Sequence, residues 1–158
     1  MDAEKKQEFT RRISQSNRSG LVVIMYEILE EYLTDAEKAH EEGKYEEFKE
    51  AIHHGDRVLL ELSEILNFTY GLATQLYALY NFSRRALMMS IVKNDTQGIL
   101  DTRRVLAPLH TAFEKVAEGD TSEPLMHNTQ QVYAGMTYGK ENLTESFQEL
   151  DTSRGFFA

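Results

Sequence analysis

Four segments of this chain carry apolar residues at steps of three and four, which is the spacing of one face of an α-helix. In the first, the spaced positions are Leu21, Ile24, Met25, Ile28, Tyr32, Ala36 and Ala39. The second lies between Phe48 and Leu66, the third covers residues 72–94, and the fourth lies between Ile99 and Val116. No strand-like alternation of polar and apolar residues accompanies them. The pattern predicts an all-α fold, an antiparallel up-and-down four-helix bundle with short connections.

The helix ends can be predicted from residues with strong positional preferences. We expect Ser19 to cap the start of the first helix and Gly43 to mark its end. The fourth helix should begin after Asp95 and end at Gly119. A kink is expected at Pro108, because proline leaves the carbonyl four residues earlier without its helical partner.

The amino-acid composition changes after Gly119, where Asp, Thr, Ser, Asn, Gly and Gln predominate with scattered aromatic residues. We therefore divide the chain into a helical-bundle domain, residues 1–118, and a C-terminal extension, residues 119–158. One further short helix is predicted in the extension, capped by Ser122 and led by Pro124, with its apolar face formed by Leu125, Val132, Tyr133 and Met136. Residues 139–158 are expected to form a loop or flexible tail.

The composition limits the classes of partner and the compartment. The chain has 158 residues and a formal net charge of -9, without a run of basic residues that could bind phosphates, so no nucleic-acid partner is expected. Cysteine is absent, which excludes disulfides and thiolate metal sites and fits a reducing cytoplasm. The longest apolar run, Leu21 to Tyr26, is far shorter than the roughly 18 residues of a membrane span. These features predict a soluble cytoplasmic protein without membrane insertion.

Two Glu-x-x-His pairs raise the alternative of a di-metal bundle protein, because such bundles hold their metals with this spacing. The pairs are Glu37 with His40 and Glu50 with His53. Both flank the turn near Gly43, whereas a di-metal site needs them on distant helices, and the third segment supplies no carboxylate. Phosphate-binding loops and nucleophile motifs are also absent from the sequence. We therefore expect no metal, no cofactor, no catalytic residue and no enzyme activity.

The third segment differs from the others because its apolar residues cover more than one face. It contains no acidic residue, and it includes Met88, Met89 and the aromatic residues Tyr77, Tyr80 and Phe82. Methionine and tyrosine offer large, adaptable contact areas. Such a helix is either central in the bundle or one half of a groove that another helix fills.

The same segment resembles the signature region of the FliS family of flagellar export chaperones. The stretch from Leu79 to Arg85 carries the resemblance, together with Leu87 and the Lys93-Asn94-Asp95 end of the segment. Leu21 to Tyr26 is similar to the entry of the family's first long helix, and Ala112-Phe113 stands where the family commonly has Ala-Trp. The resemblance extends from about Ile13 to Val116.

The resemblance implies an antiparallel helical bundle that binds the C-terminal helical segment of newly made flagellin. Such a protein prevents premature polymerisation in the cytoplasm and helps to deliver flagellin to the flagellar export gate. The predicted partner-binding residues, which line a groove or hold it open, are Tyr26, Tyr77, Tyr80, Phe82, Arg85 and Leu87. An adaptor that dimerises through the same surface is the alternative function, and the oligomeric state is left open.

The extension suggests an additional hypothesis that follows from the same kind of groove. Residues 128–133 run from polar to apolar, as an amphipathic segment does. They could dock on the chain's own groove as a mimic of the client.

Overall fold

The computed structural model describes residues 1–127, and the secondary structure of these residues consists of α-helices without a strand. The helices are α1 (Ala3–Gln15), α2 (Arg18–Glu41), α3 (Tyr45–Glu64), α4 (Gly71–Lys93) and α5 (Gln97–Gly119). The predicted all-α bundle is confirmed, with α2 to α5 corresponding to the four apolar segments. No helix in the described part of the chain is long and apolar enough to cross a lipid bilayer.

Helices α2 to α5 form a ring in which α2 and α4 each pack against both α3 and α5. The Nε2 atom of His40, near the end of α2, lies 2.9 Å from the carbonyl oxygen of Asn94, which follows α4. The hydroxyl of Tyr45, the first residue of α3, donates a hydrogen bond to the carbonyl of Ile91, near the end of α4 (3.0 Å). The ends of α2 and α4 therefore lie together beside the start of α3, as in an up-and-down bundle.

The core lies along the axis of this ring. Its largest fully buried side chains include Tyr80, Phe48, Leu29, Leu33, Ile52, Leu59, Leu62, Leu87 and Ile99. These residues come from the apolar faces of all four long helices. Burying one such side chain contributes about 1.5–3 kcal/mol, so the ring is held mainly by its apolar interior.

The observed start of α2 corrects one predicted cap. Asn17, and not Ser19, is the N-cap residue, and its Oδ1 atom accepts a hydrogen bond from the N–H of Gly20 (2.9 Å). Ser19 lies inside the first turn of α2. At the other end, Gly43 follows the helix with a φ of +70°, a left-handed conformation that glycine adopts without a steric penalty. The predicted stop at Gly43 is confirmed.

The start of α5 also differs by one residue from the prediction. Thr96 occupies the N-cap position, and the Asp95 carboxylate instead accepts a hydrogen bond from the N–H of Gln97 (3.1 Å). Asp95 therefore still satisfies a free N–H of the first turn, but from one position further out. Helix α5 ends at Gly119, as predicted. It continues through Pro108, where the expected kink stays a prediction.

Helix α1 was not predicted, because it is joined to the bundle largely by charged side chains and not by an apolar stripe. Arg12 forms a bidentate ion pair with Glu27 of α2, in which Nη2 and Oε1 are 2.8 Å apart. Lys5 Nζ lies 2.5 Å from a carboxylate oxygen of Glu31, also in α2. The N-cap Asp2, which accepts from the N–H of Lys5, is the local sequence signal for this helix.

The predicted helix of the C-terminal extension does not begin where expected. Residues 120–127 are not helical, and the Ser122 hydroxyl donates a hydrogen bond to the Asp120 carboxylate (2.6 Å) instead of capping a helix. The other residues predicted for that helix, Val132, Tyr133 and Met136, lie outside the described residues, as does the predicted tail over residues 139–158.

Candidate partner-binding site

Helix α4 has one buried face and a set of exposed apolar residues. Its buried residues, Ala73, Leu76, Tyr80, Ser83, Leu87 and Ser90, follow helical spacing and face the core. Its exposed large apolar residues are Leu72, Tyr77, Phe82, Met89 and Val92, of which Val92 is 77% exposed. Helix α4 is therefore not a fully enclosed central helix. The apolar excess seen in the sequence lies on its solvent side.

An apolar groove, called here the end groove, opens at the end of the bundle where α2 and α4 begin and α3 and α5 end. It has a volume of about 450 Å³. Its lining residues are Arg18, Ser19, Val22, Leu62, Ile65, Leu66, Asn67, Tyr70, Leu72, Ala73, Leu76, Tyr80, Phe113 and Val116. Of these described residues, only Arg18 carries a charge. The guanidinium of Arg18 donates a hydrogen bond to the carbonyl of Ile65 (3.1 Å) and so links the start of α2 to the end of α3.

The rim of the end groove carries large apolar side chains that are exposed to solvent. Tyr70 is 69% exposed, Leu72 62% and Val116 56%. These residues come from two neighbouring helices, from the start of α4 and the end of α5. Exposed apolar residues that line one groove are typical of a binding site, because covering them with a partner removes them from water.

A buried tyrosine pair supports the wall of the end groove. The hydroxyls of Tyr26 and Tyr80 lie 2.7 Å apart and form one hydrogen bond in the core. The ring of Tyr26 also stacks on Phe113, which lines the groove, with ring centroids 5.7 Å apart. On the same side His110 stacks on Tyr26 at 5.6 Å. Tyr26 therefore positions Phe113 from behind, while Tyr80 itself contributes to the lining.

Burial of this pair should make the protein less stable at alkaline pH. Removal from water raises the pKa of Tyr26, with a further contribution from the neighbouring Tyr80, and burial likewise raises the pKa of Tyr80. The unfolded chain loses these phenol protons near the ordinary pKa of about 10, whereas the folded protein retains them. The free energy of unfolding should therefore fall above about pH 10, by up to about 1.4 kcal/mol per pH unit for each tyrosine.

Urea unfolding between pH 8 and pH 11 measures this dependence. The Tyr26→Phe/Tyr80→Phe protein should show a shallower decline above pH 10 than the wild-type protein, because two of the titrating hydroxyls are gone. Tyr70→Phe, a substitution at an exposed tyrosine, is the matched control and should leave the decline unchanged. An equally steep decline in the double variant contradicts the assignment to this pair.

A second exposed surface, apolar except for one arginine, runs along α4. We call it the α4 strip and define it by Phe82, Arg85, Met89 and Val92, which follow one another at steps of three and four. Next to it, Arg84 is held by Asp56 of α3 through two hydrogen bonds of 2.7 Å and 3.2 Å. This pair fixes one side of α4 against α3 and leaves the strip facing solvent.

The structure divides the six residues predicted from the sequence into three buried and three exposed residues. Tyr26, Tyr80 and Leu87 lie in the core, and of these Tyr80 also lines the end groove. Phe82 and Arg85 lie on the α4 strip. Tyr77 is exposed, and its ring meets Phe68 of the α3–α4 connection edge-on at 5.8 Å. Partner binding by these six residues stays a prediction.

The rim residues of the end groove were not predicted from the sequence as part of a site. Leu72 and Val116 fall on apolar helical segments and therefore resembled core residues, while Tyr70 lies beside a predicted helix end. Their common signal is their position. Each lies within the first or last turns of a helix or just outside it, where a side chain can be left uncovered by neighbouring helices.

The Glu-x-x-His residues have other partners in the structure. Glu37 forms an ion pair with Arg103 of α5 (2.5 Å), and His40 contacts the carbonyl of Asn94. Glu50 lies 3.7 Å from His54, which is not the histidine of its Glu-x-x-His spacing. Within residues 1–127, no cluster of three or more His, Asp or Glu residues could hold a metal ion.

Comparison with known proteins links the chain to one family. Residues 1–120 match the model of the family described as flagellar protein FliS. The match includes all five described helices and every residue that lines the end groove. No curated protein matches the chain.

Proposed function

Because this match extends over most of its length, the chain belongs to the FliS family of flagellar proteins, a family of flagellar export chaperones, and we propose that its client is flagellin. It binds the C-terminal helical segment of newly made flagellin in the cytoplasm. Binding keeps flagellin from polymerising prematurely and helps to deliver it to the flagellar export gate. This activity requires a binding surface and no chemical step, so we assign no catalytic residue.

The end groove is the observation that supports this proposal. It is open to solvent, its lining is mostly apolar, and four helices contribute to it. A segment that forms an amphipathic helix can place the apolar side chains of one face into such a groove and leave its polar face in water. The ordering cost of the segment is offset by apolar burial on both partners, which gives specificity without irreversible binding.

The rim residues of the end groove and the six residues predicted from the sequence then have different roles in client binding. Leu72 and Val116 contact the client at the rim, Tyr80 forms part of the wall, and Tyr26 positions that wall. Leu87 packs in the core and acts only by holding α4 in place. A longer client segment continues from the end groove onto the exposed side of α4, where it meets the sixth predicted residue, Tyr77, and the α4 strip.

Calorimetric titration with a peptide spanning the C-terminal segment of flagellin from the same organism tests the proposal. We expect a saturable complex with a negative heat-capacity change, because apolar surface is buried. Circular dichroism of the mixture should show more helix than the sum of the separate components, since the peptide folds on the protein.

A peptide of the same composition in scrambled order is the control and should not bind, because its apolar residues no longer share one helical face. Absence of binding at high micromolar concentration, in the wild-type protein and in a variant without residues 128–158, contradicts flagellin binding. Sedimentation of the same mixtures distinguishes the adaptor alternative from a chaperone. An adaptor dimer should persist when the peptide is added, whereas a chaperone should form a complex with it.

A further inference from the structure

Residues 120–127, called here the strap, connect α5 to the part of the chain beyond the described residues and are tied to the start of α2. The Asn17 side-chain N–H group donates to the carbonyls of Asp120 (3.1 Å) and Ser122 (3.3 Å). Further along, the N–H of Leu125 donates to the carbonyl of Ser16 (3.0 Å). The direction of the chain as it leaves the bundle is therefore fixed by contacts with the α1–α2 junction.

The strap is also anchored by the carboxylate of Asp120. Hydrogen bonds from the hydroxyls of Ser122 (2.6 Å) and Ser19 (2.5 Å) lower the pKa of Asp120 to about 2. The carboxylate is consequently ionised throughout the physiological range, and these hydrogen bonds to a charged acceptor are of the stronger kind. Ser19 belongs to the lining of the end groove, so the anchor of the strap and the edge of the groove share a residue.

The next residues of the chain therefore start close to the end groove. The described chain ends at His127, two residues after the last backbone contact with Ser16. Neighbouring packed helices are about 8–10 Å apart, and an extended chain advances up to about 3.3–3.6 Å per residue. A few residues beyond His127 are thus enough to reach across one helix and into the groove.

The sequence that follows matches the chemistry of the groove. No residue from Asn128 to Gly139 is charged, although 27% of the whole chain is charged. This stretch contains Val132, Tyr133 and Met136, whose spacing places them on one side of a helix. It can enter a lining in which only Arg18 is charged without burying an unpaired charge of its own.

We propose that residues 128–136 of the chain bind in its own end groove and compete there with the client. The competition rests on the proposed function, whereas the docking does not. The apolar side chains of Val132, Tyr133 and Met136 cover the exposed rim residues Leu72 and Val116. Client binding then requires release of this segment.

Tethering makes a weak contact sufficient for this competition. A segment connected through a short linker acts at an effective concentration of about millimolar, so even a low intrinsic affinity fills the groove for most of the time. The apparent affinity for a client falls in proportion to the fraction of molecules with a free groove. If about one molecule in ten has a free groove, the client binds about tenfold more weakly than it would without competition.

Docking can be measured without any client by two introduced probes. The chain contains no cysteine and no tryptophan, so each probe can be placed at a single position. A bimane fluorophore attached at Tyr70→Cys, on the rim, reports contact with a tryptophan introduced as Tyr133→Trp. We expect strong quenching of the bimane in the native protein and its loss in urea. The matched control carries Phe156→Trp in place of Tyr133→Trp and should show little quenching.

Two results of this measurement overturn the docking proposal. One is equal fluorescence of the two tryptophan variants. The other is quenching that occurs only when the fluorophore and the tryptophan are on different molecules, because the groove is then occupied by a second copy. Quenching that is independent of protein concentration and specific to position 133 supports docking within one chain.

The competition is tested by titrating the flagellin peptide into the full-length Val132→Asp/Met136→Asp variant. We expect about tenfold tighter binding than in the wild-type protein, because two carboxylates oppose entry of residues 128–136 into an apolar groove. Phe156→Asp/Phe157→Asp adds the same charge elsewhere in the extension and should bind as the wild-type protein does. The bimane quenching should fall in the first variant and persist in the second.

The outcomes separate this inference from the proposed function. Unchanged peptide affinity in Val132→Asp/Met136→Asp, together with lost quenching, overturns the competition. If no variant binds the peptide but the position-specific quenching is present, flagellin binding is wrong and docking within the chain stands.

Discussion

Replacement of Gly98 by alanine should lower the free energy of unfolding by about 3 kcal/mol, out of the 5–15 kcal/mol that is typical of a domain. A Cβ atom at this position would lie 2.0 Å from the carbonyl oxygen and 2.5 Å from the carbonyl carbon of Ala86. These are backbone atoms of α4, so no side-chain rotation can relieve the overlap. Helices α4 and α5 would have to separate where Gly98 meets Ala86.

The contact between α4 and α5 leaves little room for such a shift. The N–H of Gly98 donates a hydrogen bond to the hydroxyl of Ser90 (2.8 Å) in the buried interface. One turn later the Thr102 hydroxyl is 3.5 Å from the carbonyl of Ser83, and both of these residues are fully buried. Separation of the helices would weaken these hydrogen bonds and leave their polar groups without partners.

Urea unfolding of Gly98→Ala at neutral pH measures the effect, and Gly119→Ala is the matched control. Gly119 also lies in α5, but an added Cβ atom there would have no atom within 4 Å beyond its own helical turn and chain neighbours. The control should be as stable as the wild-type protein or slightly more stable, since alanine favours the helix. A change of less than about 0.5 kcal/mol in Gly98→Ala, the range of neutral surface substitutions, would show that the close approach is not structurally required.

The sequence predicted the four long helices because each buries an apolar stripe of its own. Such a stripe consists of residues three and four positions apart, so it can be recognised without knowing which residues cover it. Helix α1 lacks this signal. Its ion pairs, such as Arg12 with Glu27, join residues of two helices, and a single sequence does not indicate which opposite charges will meet.

The close contact of α4 and α5 illustrates a second limit. Ser90 with Ala86, and Gly98 with Thr102, are small residues four positions apart on each helix. This spacing is visible in the sequence and allows two helices to approach closely. Which two helices meet at these residues, and at which positions along their axes, depends on the packing of all four helices. It could not be predicted from either segment alone.

The candidate site was predicted only in part, for a related reason. The sequence identified α4 as the helix with too much apolar surface, and the structure places that excess in solvent. It could not separate the buried Tyr80 and Leu87 from the exposed Phe82, because positions on different faces of α4 are all apolar. The end groove needs residues from four helices, so no local pattern describes it.

The same geometry leads to the prediction with the largest expected effect on binding. The Leu72→Asp/Val116→Asp protein should bind the flagellin peptide at least about 100-fold more weakly than the wild-type protein. Each leucine or valine side chain contributes about 1.5–3 kcal/mol when it is removed from water, and a factor of 100 corresponds to about 2.7 kcal/mol. The introduced carboxylates add a further penalty, because the bound client would bury them without partners.

The double variant should nevertheless fold normally. Leu72 and Val116 are more than half exposed in the free protein, so their replacement removes little buried surface. Circular dichroism and urea unfolding of the variant check this point before the titration. Calorimetry then measures the affinity of the variant and of the wild-type protein for the peptide, at the same peptide concentration.

Leu100→Asp is the matched control, because Leu100 is also an exposed apolar residue and is 48% exposed. It lies on α5, about 24 Å along the helix from Val116 at 1.5 Å per residue. Unchanged affinity in Leu100→Asp and a large loss in Leu72→Asp/Val116→Asp would locate the client in the end groove. If the double variant binds as the wild-type protein does and Phe82→Asp/Met89→Asp does not bind, the α4 strip is the binding surface. The end groove would then have no role in client binding, and residues 128–136 could occupy it without competing with flagellin.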